Sequence, residues 1–225
     1  LLEVGCTVDY IRDQQQCTTG AQPSRPIKES GANMMTSIKA IVLTAVLVFA
    51  AASTRAADSF TVDPVHSSVS FMISHQGISN IHGRFNQFSG QFTIDRDDPS
   101  KSSFALSIPV ESVDTNNQKR DEHLRAPDYF NAKQFPLMTF QSTKVKAIDG
   151  GYEVTGDLTL HGVKKEITLE LKGGNKLVEF PKGMHRIGMT TDTAIKRSDF
   201  GMRAELPVSL GDDVRIIMGI EATKN

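Results

Sequence analysis

The chain has 225 residues and a formal net charge of −1, with 25 Lys and Arg against 26 Asp and Glu. That balance excludes the strongly basic surface that nucleic-acid binding requires, and the length suits one domain behind a leader. Residues 1–33 show no steady period and are rich in Gln, Thr, Ser and Pro. Met34, Met35 and Lys39 then precede an apolar run from Ala40 to Ala52, and Thr54-Arg55-Ala56 places small residues where a signal peptidase reads. This is the pattern of a secretory signal peptide over 34–56, cleaved after Ala56. The run is shorter than the roughly 20 apolar residues of a membrane span. A signal peptide is read at the start of a chain, so residues 1–33 are expected to be a non-native upstream extension. Both cysteines, Cys6 and Cys17, fall in it. The mature chain, 57–225, then has no thiol and rests on its core alone. It carries 20 Lys and Arg against 22 Asp and Glu, a net charge of −2. No basic amphipathic helix marks it for a membrane surface.

Along the mature chain, polar and apolar residues alternate with period two. Val69, Phe71, Ile73 and His75 share one face. Phe88, Gly90, Phe92 and Ile94 share the next, then Phe104, Leu106, Ile108 and Val110. Val154, Gly156, Leu158 and Leu160 follow, then Ile167, Leu169 and Leu171, and last Val214, Ile216, Met218 and Ile220. Each set reads as a half-buried strand. Asp97-Asp98-Pro99, Asp149-Gly150-Gly151, His161-Gly162, Gly173-Gly174-Asn175 and Gly211-Asp212-Asp213 mark turns. Short antiparallel connections predict an up-and-down meander, and closure into a barrel removes its edges.

One stretch cannot be a strand. Between Asp114 and Pro136, the charged residues Lys119, Arg120, Asp121, Glu122, His123 and Arg125 surround Leu124. This predicts a helical insertion that ends at about Ala126, because the residue before Pro127 avoids the α region. The block Arg120–Phe130, R-D-E-H-L-R-A-P-D-Y-F, resembles the signature of the YceI-like family of exported lipid-binding proteins. Val62–Phe71 looks like that family's first strand, and His82–Gly90 like its G-x-F-x-x-F-x-G segment. Phe135–Thr143, Gly156–Lys165 and Arg197–Gly201 match its later blocks, so the resemblance covers nearly all of residues 58–222. It implies an all-β fold, a lipocalin-like extended eight-stranded antiparallel barrel with a short helical insertion and a long apolar pocket. It further implies periplasmic binding, storage or transport of polyisoprenoid or similar long-chain lipids, isoprenoid quinones among them. It implies a homodimer, no cofactor and no enzymatic activity.

A hydrocarbon tail needs apolar walls. Phe71, Ile73, Phe85, Phe88, Phe92, Phe140, Leu158, Leu160 and Phe200 are the expected walls, although period two serves a plain core equally well. For a polar head group, Arg120, His123, Arg125 and Arg197 are candidates, since guanidinium binds phosphate bidentately. The competing expectation is architectural: Arg120 with Asp121, and Arg197 with Asp199, form ion pairs that lock the insertion to the barrel.

The six histidines lack the short spacings of common zinc sites; His66, His75 and His82 are nine and seven apart. No G-x-S-x-G elbow occurs, and paired acids such as Asp212-Asp213 lie in turns. An enzyme acting on an isoprenoid lipid is the alternative, and it calls for coupled, perturbed titratable groups in the pocket. An outer-membrane barrel is disfavoured by the absence of Trp and by only two mature tyrosines, Tyr129 and Tyr152, where aromatic girdles are the rule.

Overall fold

The computed structural model describes residues 56–225. The segments expected to be an upstream extension and a signal peptide, up to Arg55, and both cysteines lie outside those residues. Twelve strands form one antiparallel sheet: β1 (Asp58–Val62), β2 (Ser68–His75), β3 (Ser79–Phe85), β4 (Ser89–Ile94), β5 (Ser103–Pro109), β6 (Val113–Asp114), β7 (Leu137–Ile148), β8 (Gly151–Leu160), β9 (Val163–Gly173), β10 (Val178–Glu179), β11 (His185–Lys196) and β12 (Leu210–Lys224). Among the described residues the one α-helix, α1, spans Gln118–Leu124 between β6 and β7.

Three pairs of these strands are broken halves of longer ones. β12 is 15 residues long and pairs with β2 over its first part and with β1 over its last. β3 pairs with β2 and β4 with β1, while β5 and β6 continue the series beside β4 and β3. Eight long strands therefore follow one another as a meander, and β11 closes the ring by pairing with both β9 and β12. The expected barrel is present. The stretch Val62–Phe71, read as one first strand, is instead interrupted. Asp63 accepts hydrogen bonds from the Val65 amide (2.9 Å) and from His66 Nδ1 (2.8 Å), an Asx turn that breaks the extended backbone.

β7 contains a bulge between Ser142 and Lys144, opposite Thr155 and Gly156. The extra residue reverses the parity of the strand. Met138 and Phe140 are buried before it and Val145 after it. Gly156 makes the bulge possible: a Cβ there would lie 2.5 Å from the Gln141 carbonyl oxygen. β9 and β11 pair only through Met189–Gly173 and Thr190–Lys172, so the barrel wall is least stitched there.

The helix begins at Asn117, whose side chain accepts from the Arg120 amide at 3.1 Å. It ends at Leu124, two residues earlier than the proline rule suggests, with Arg125 as cap. Buried Asp121 holds it to β6 by accepting from the Thr115 amide (2.8 Å) and hydroxyl (2.5 Å).

The barrel interior has two unlike halves. At the end built by β1 and β4, the core is solid. Phe60 is fully buried, the Phe92 and Phe104 rings meet at a tilt with centroids 5.3 Å apart, and Phe104 meets Tyr152 at 5.9 Å. Burial pushes the Tyr152 phenol above its ordinary pKa. The other half, under β2, β3 and α1, is hollow.

A candidate lipid pocket and its polar end

The hollow half is an apolar cavity of about 350 Å³, within the range typical of small-molecule sites. Its walls follow from strand parity: Phe71 and Ile73 from β2, Phe85 from β3, Phe140 from β7, and Leu158 and Leu160 from β8 all turn inward. These six are among the walls expected from the sequence. Three further expectations need correction. Phe92 lies in the solid half, where its cross-strand neighbours Phe60 and Phe104 pack around it; it borders only a void of about 40 Å³. Phe200 is 2 % exposed within the short 3₁₀ turn Arg197–Phe200 and does not border the cavity. Phe88 sits in the loop between β3 and β4, half-buried and away from the cavity. Strand parity states which face a residue takes but not its height along the barrel, which misplaces Phe92, and it does not apply to Phe88 in a loop or Phe200 in a 3₁₀ turn.

The walls that sequence reasoning passed over include Met138 on β7 and Ile195 on β11. Both strands escape a period-two reading, β7 because of its bulge. On β11, the inward positions between Met189 and Ile195 are Thr191 and Thr193.

One end of the cavity is polar. Thr115 reaches it from the turn after β6, Arg120 and His123 from α1, Tyr129 from the segment after α1, and Arg197 and Glu205 from the chain between β11 and β12. Arg197 is 4 % exposed. Its Nε donates to the Gly211 carbonyl (2.8 Å), Nη1 to Met202 (3.1 Å) and Nη2 to Ala204 (2.8 Å). Burial lowers its pKa. Arg120 donates from Nε and Nη2 to the Thr115 hydroxyl and carbonyl, both at 2.7 Å. The architectural ion pairs Arg120–Asp121 and Arg197–Asp199 do not form. The arginines hold backbone and hydroxyl oxygens instead, which suits a five-donor fork better than a single carboxylate does. Arg125 is not at the cavity; it donates to the Glu111 and Val113 carbonyls and lies 3.6 Å from the Glu111 carboxylate. His123 is exposed, and its ring meets that of Tyr129 edge-on at 4.9 Å.

Tyr129 was not singled out in the sequence, and its hydroxyl donates to Glu205 Oε1 at 3.0 Å. Burial and then the Glu205 hydrogen bond push the phenol pKa up to about 12. Tyr129 could have been found in the R-A-P-D-Y-F block. Glu205 lies in an irregular loop and gives no pattern.

At the opposite end of the barrel, ligand atoms of Asp63, His66 and Glu221 lie within 4.8 Å of one another. The Arg186 guanidinium sits among them, 3.0 Å from Asp63 and paired with Glu221. It already supplies the positive charge that three such groups require.

A closed antiparallel barrel, solid at one end and hollow and apolar at the other, defines a binding-protein fold of the lipocalin type. The profile of the YceI-like domain matches residues 60–222. The chain belongs to the YceI family. It is 38% identical over 183 residues to a UPF0312 protein of Pseudomonas paraeruginosa, covering 79% of this chain and 92% of the relative. A UPF0312 protein of Yersinia pestis is 40% identical over 184 residues with the same coverage. Among solved structures, the YceI protein of Campylobacter jejuni matches with a TM-score of 0.59 and 33% identity, over 68% of this chain and 90% of that one. BcnA of Burkholderia cenocepacia matches with a TM-score of 0.62 and 25% identity, over 71% of this chain and 98% of that one. A domain of Saccharophagus degradans described as polyisoprenoid binding shares the fold at 20% identity and a TM-score of 0.56, over 74% of this chain and 98% of that one. Among the described residues, no helix is long and apolar enough to cross a membrane.

Proposed function

We propose that this protein is a periplasmic carrier or reservoir for long-chain isoprenoid-type lipids, isoprenoid quinones among them, and that it works as a homodimer without catalysing a reaction. The observation that carries the lipid reading is the cavity: inward side chains from both sides of the barrel leave a volume bounded almost wholly by hydrocarbon. Each buried CH₂ of a tail contributes about 0.8 kcal/mol, so about ten of them give roughly 8 kcal/mol before the cost of association. The charged groups Arg120, Arg197 and Glu205 gather at one end, as an amphiphile with one polar head requires.

The titratable groups at that end argue for binding over catalysis. Arg197 and Arg120 are engaged in holding the backbone and Thr115. The Tyr129 phenol is moved away from neutral pH, the wrong direction for an acid or base working near pH 7. The periplasmic site of action rests on the leader pattern before Ala57, and the dimer on the family resemblance. Titration of the mature protein with geranylgeraniol, followed by displacement of a fluorescent long-chain probe, tests the reading. Saturable one-to-one displacement is expected, and none at the solubility limit of the lipid would sink it. Sedimentation at micromolar concentration tests the dimer; a monomer throughout removes it.

A further inference from the structure

A carrier of a long hydrocarbon tail must load and unload it, and water is a poor route. Each CH₂ that passes through water slows the transfer about fourfold. A tail therefore moves far faster into an apolar opening held against the bilayer. The cavity has an opening. Among the residues that line it, His75 at the end of β2 is half-buried, while His123 on α1 and Glu205 in the loop before β12 are exposed. The cavity meets solvent between these three elements, at its polar end.

Two of the three elements carry outward apolar side chains beside that opening. Ile78, three residues past His75, is 82 % exposed, and Val208, three residues past Glu205, is 81 % exposed. The two loops are tied together, because the Gln76 amide donates to the Ser209 carbonyl at 2.8 Å. Both are tight. Gln76 and Gly77 take φ of 53° and 69°, and the Ile78 amide donates to the His75 carbonyl at 3.2 Å. The Ser209 amide donates to the Glu205 carbonyl at 3.1 Å. Neither loop would have to strip a charge of water on entering an apolar medium: residues 76–81 and 206–211 contain no Asp, Glu, Lys or Arg. The exposed apolar residues Val178, Phe180 and Met184, at the solid end of the barrel, stand instead among Glu179, Lys182 and Arg186, and none of them borders the cavity.

Resting on the lipid reading above, we propose that Ile78 and Val208 form a docking tip that dips reversibly into the surface of a phospholipid bilayer. The tip holds the open, polar end of the cavity against the bilayer, so a lipid passes between the two without crossing water. Its head stays at the water interface in both places while its tail changes hosts. The contact is weak. Burying one Ile or Val side chain is worth about tenfold in affinity, and two of them must offset the cost of association. With no charge on either loop, the contact does not depend on salt or on the charge of the lipid.

The chain contains no tryptophan, so one introduced indole reports its surroundings without background. Ile78→Trp and Val208→Trp are each mixed with phosphatidylcholine vesicles whose acyl chains carry bromine close to the head group. Quenching and a blue shift are expected at both positions, and neither for Val65→Trp, which replaces an equally exposed residue at the solid end. Transfer is then followed as a fluorescent long-chain probe leaves the loaded, unaltered protein for plain phosphatidylcholine vesicles. Its rate should rise in proportion to vesicle concentration. In the double variant Ile78→Ser, Val208→Ser it should fall at least tenfold, while affinity for the probe in solution stays the same. Absent quenching, quenching equal to that at Val65→Trp, or a transfer rate independent of vesicle concentration overturns the docking inference and leaves the lipid reading standing. So does a double variant that transfers as fast as the unaltered protein. So does one that turns a dimer into a monomer in sedimentation, which makes the tip a contact between two copies of the chain. If the probe does not bind in solution and no indole is quenched, the lipid reading and the inference fall together.

Discussion

Placing a charge in the cavity wall tests whether a tail lies where the geometry puts it. Leu158 on β8 is 5 % exposed, borders the cavity and pairs across the sheet with Phe140. Leu158→Ala and Leu158→Asp both delete its buried methyl groups, so each should lose about 2–5 kcal/mol of stability. Only the aspartate adds a carboxylate that a bound tail must strip of water. The least costly escape is protonation, which at pH 7 costs about 4 kcal/mol for a group whose ordinary pKa is about 3.9. Leu158→Asp should therefore bind lipid about 10³-fold more weakly than Leu158→Ala at pH 7. At pH 5 the same protonation costs about 1.5 kcal/mol, so roughly a hundredfold of that loss should return. Probe displacement at both pH values measures this, with urea unfolding to show that both variants are folded. Equal binding by the folded Ala and Asp variants, or a loss that does not depend on pH, would refute the placement of the tail against β8.

Three further outcomes concern the frame that holds the site. Arg197→Lys should lower stability by about 3 kcal/mol in urea melts, since one ammonium cannot satisfy the carbonyls of Gly211, Met202 and Ala204; an unchanged midpoint would show that those bonds hold nothing. Gly156→Ala should cost about 1–3 kcal/mol, because its Cβ meets the Gln141 carbonyl, a backbone atom that cannot swing aside; a neutral effect would mean that the bulge relaxes freely. Tyr129 has a folded pKa raised to about 12. Its contribution is therefore complete below its unfolded pKa of about 10 and is lost as pH rises toward 12, a loss of about 2–3 kcal/mol. Tyr129→Phe should flatten the stability curve by that amount between pH 10 and 12, and identical slopes in the two proteins would contradict the buried phenol.

The strands β2, β4, β5, β8, β9 and β12 were legible in the sequence because each keeps one apolar face over its length. β11 was hidden because its inward face includes Thr191 and Thr193. β7 was hidden because the bulge at Ser142–Lys144 moves its buried residues from even to odd positions. The same physics limited the site. Phe71 and Phe92 are equivalent by period, yet one faces the cavity and the other plugs the far end, because only the register with β1 and β5 fixes height. The charged insertion was recognised, but the partners of its arginines were not. Arg120 and Arg197 reach for main-chain and hydroxyl oxygens, and such oxygens leave no mark in a pattern of side-chain charges.

The most direct test of lipid carriage is the mass of the protein as its own cell makes it. Native mass spectrometry of the protein isolated without detergent from its source compartment should show each polypeptide chain carrying one noncovalent adduct. On release, that adduct should fragment as a long isoprenoid chain. A bare polypeptide mass in every charge state, from a sample that also takes up no geranylgeraniol when it is supplied, would contradict lipid carriage.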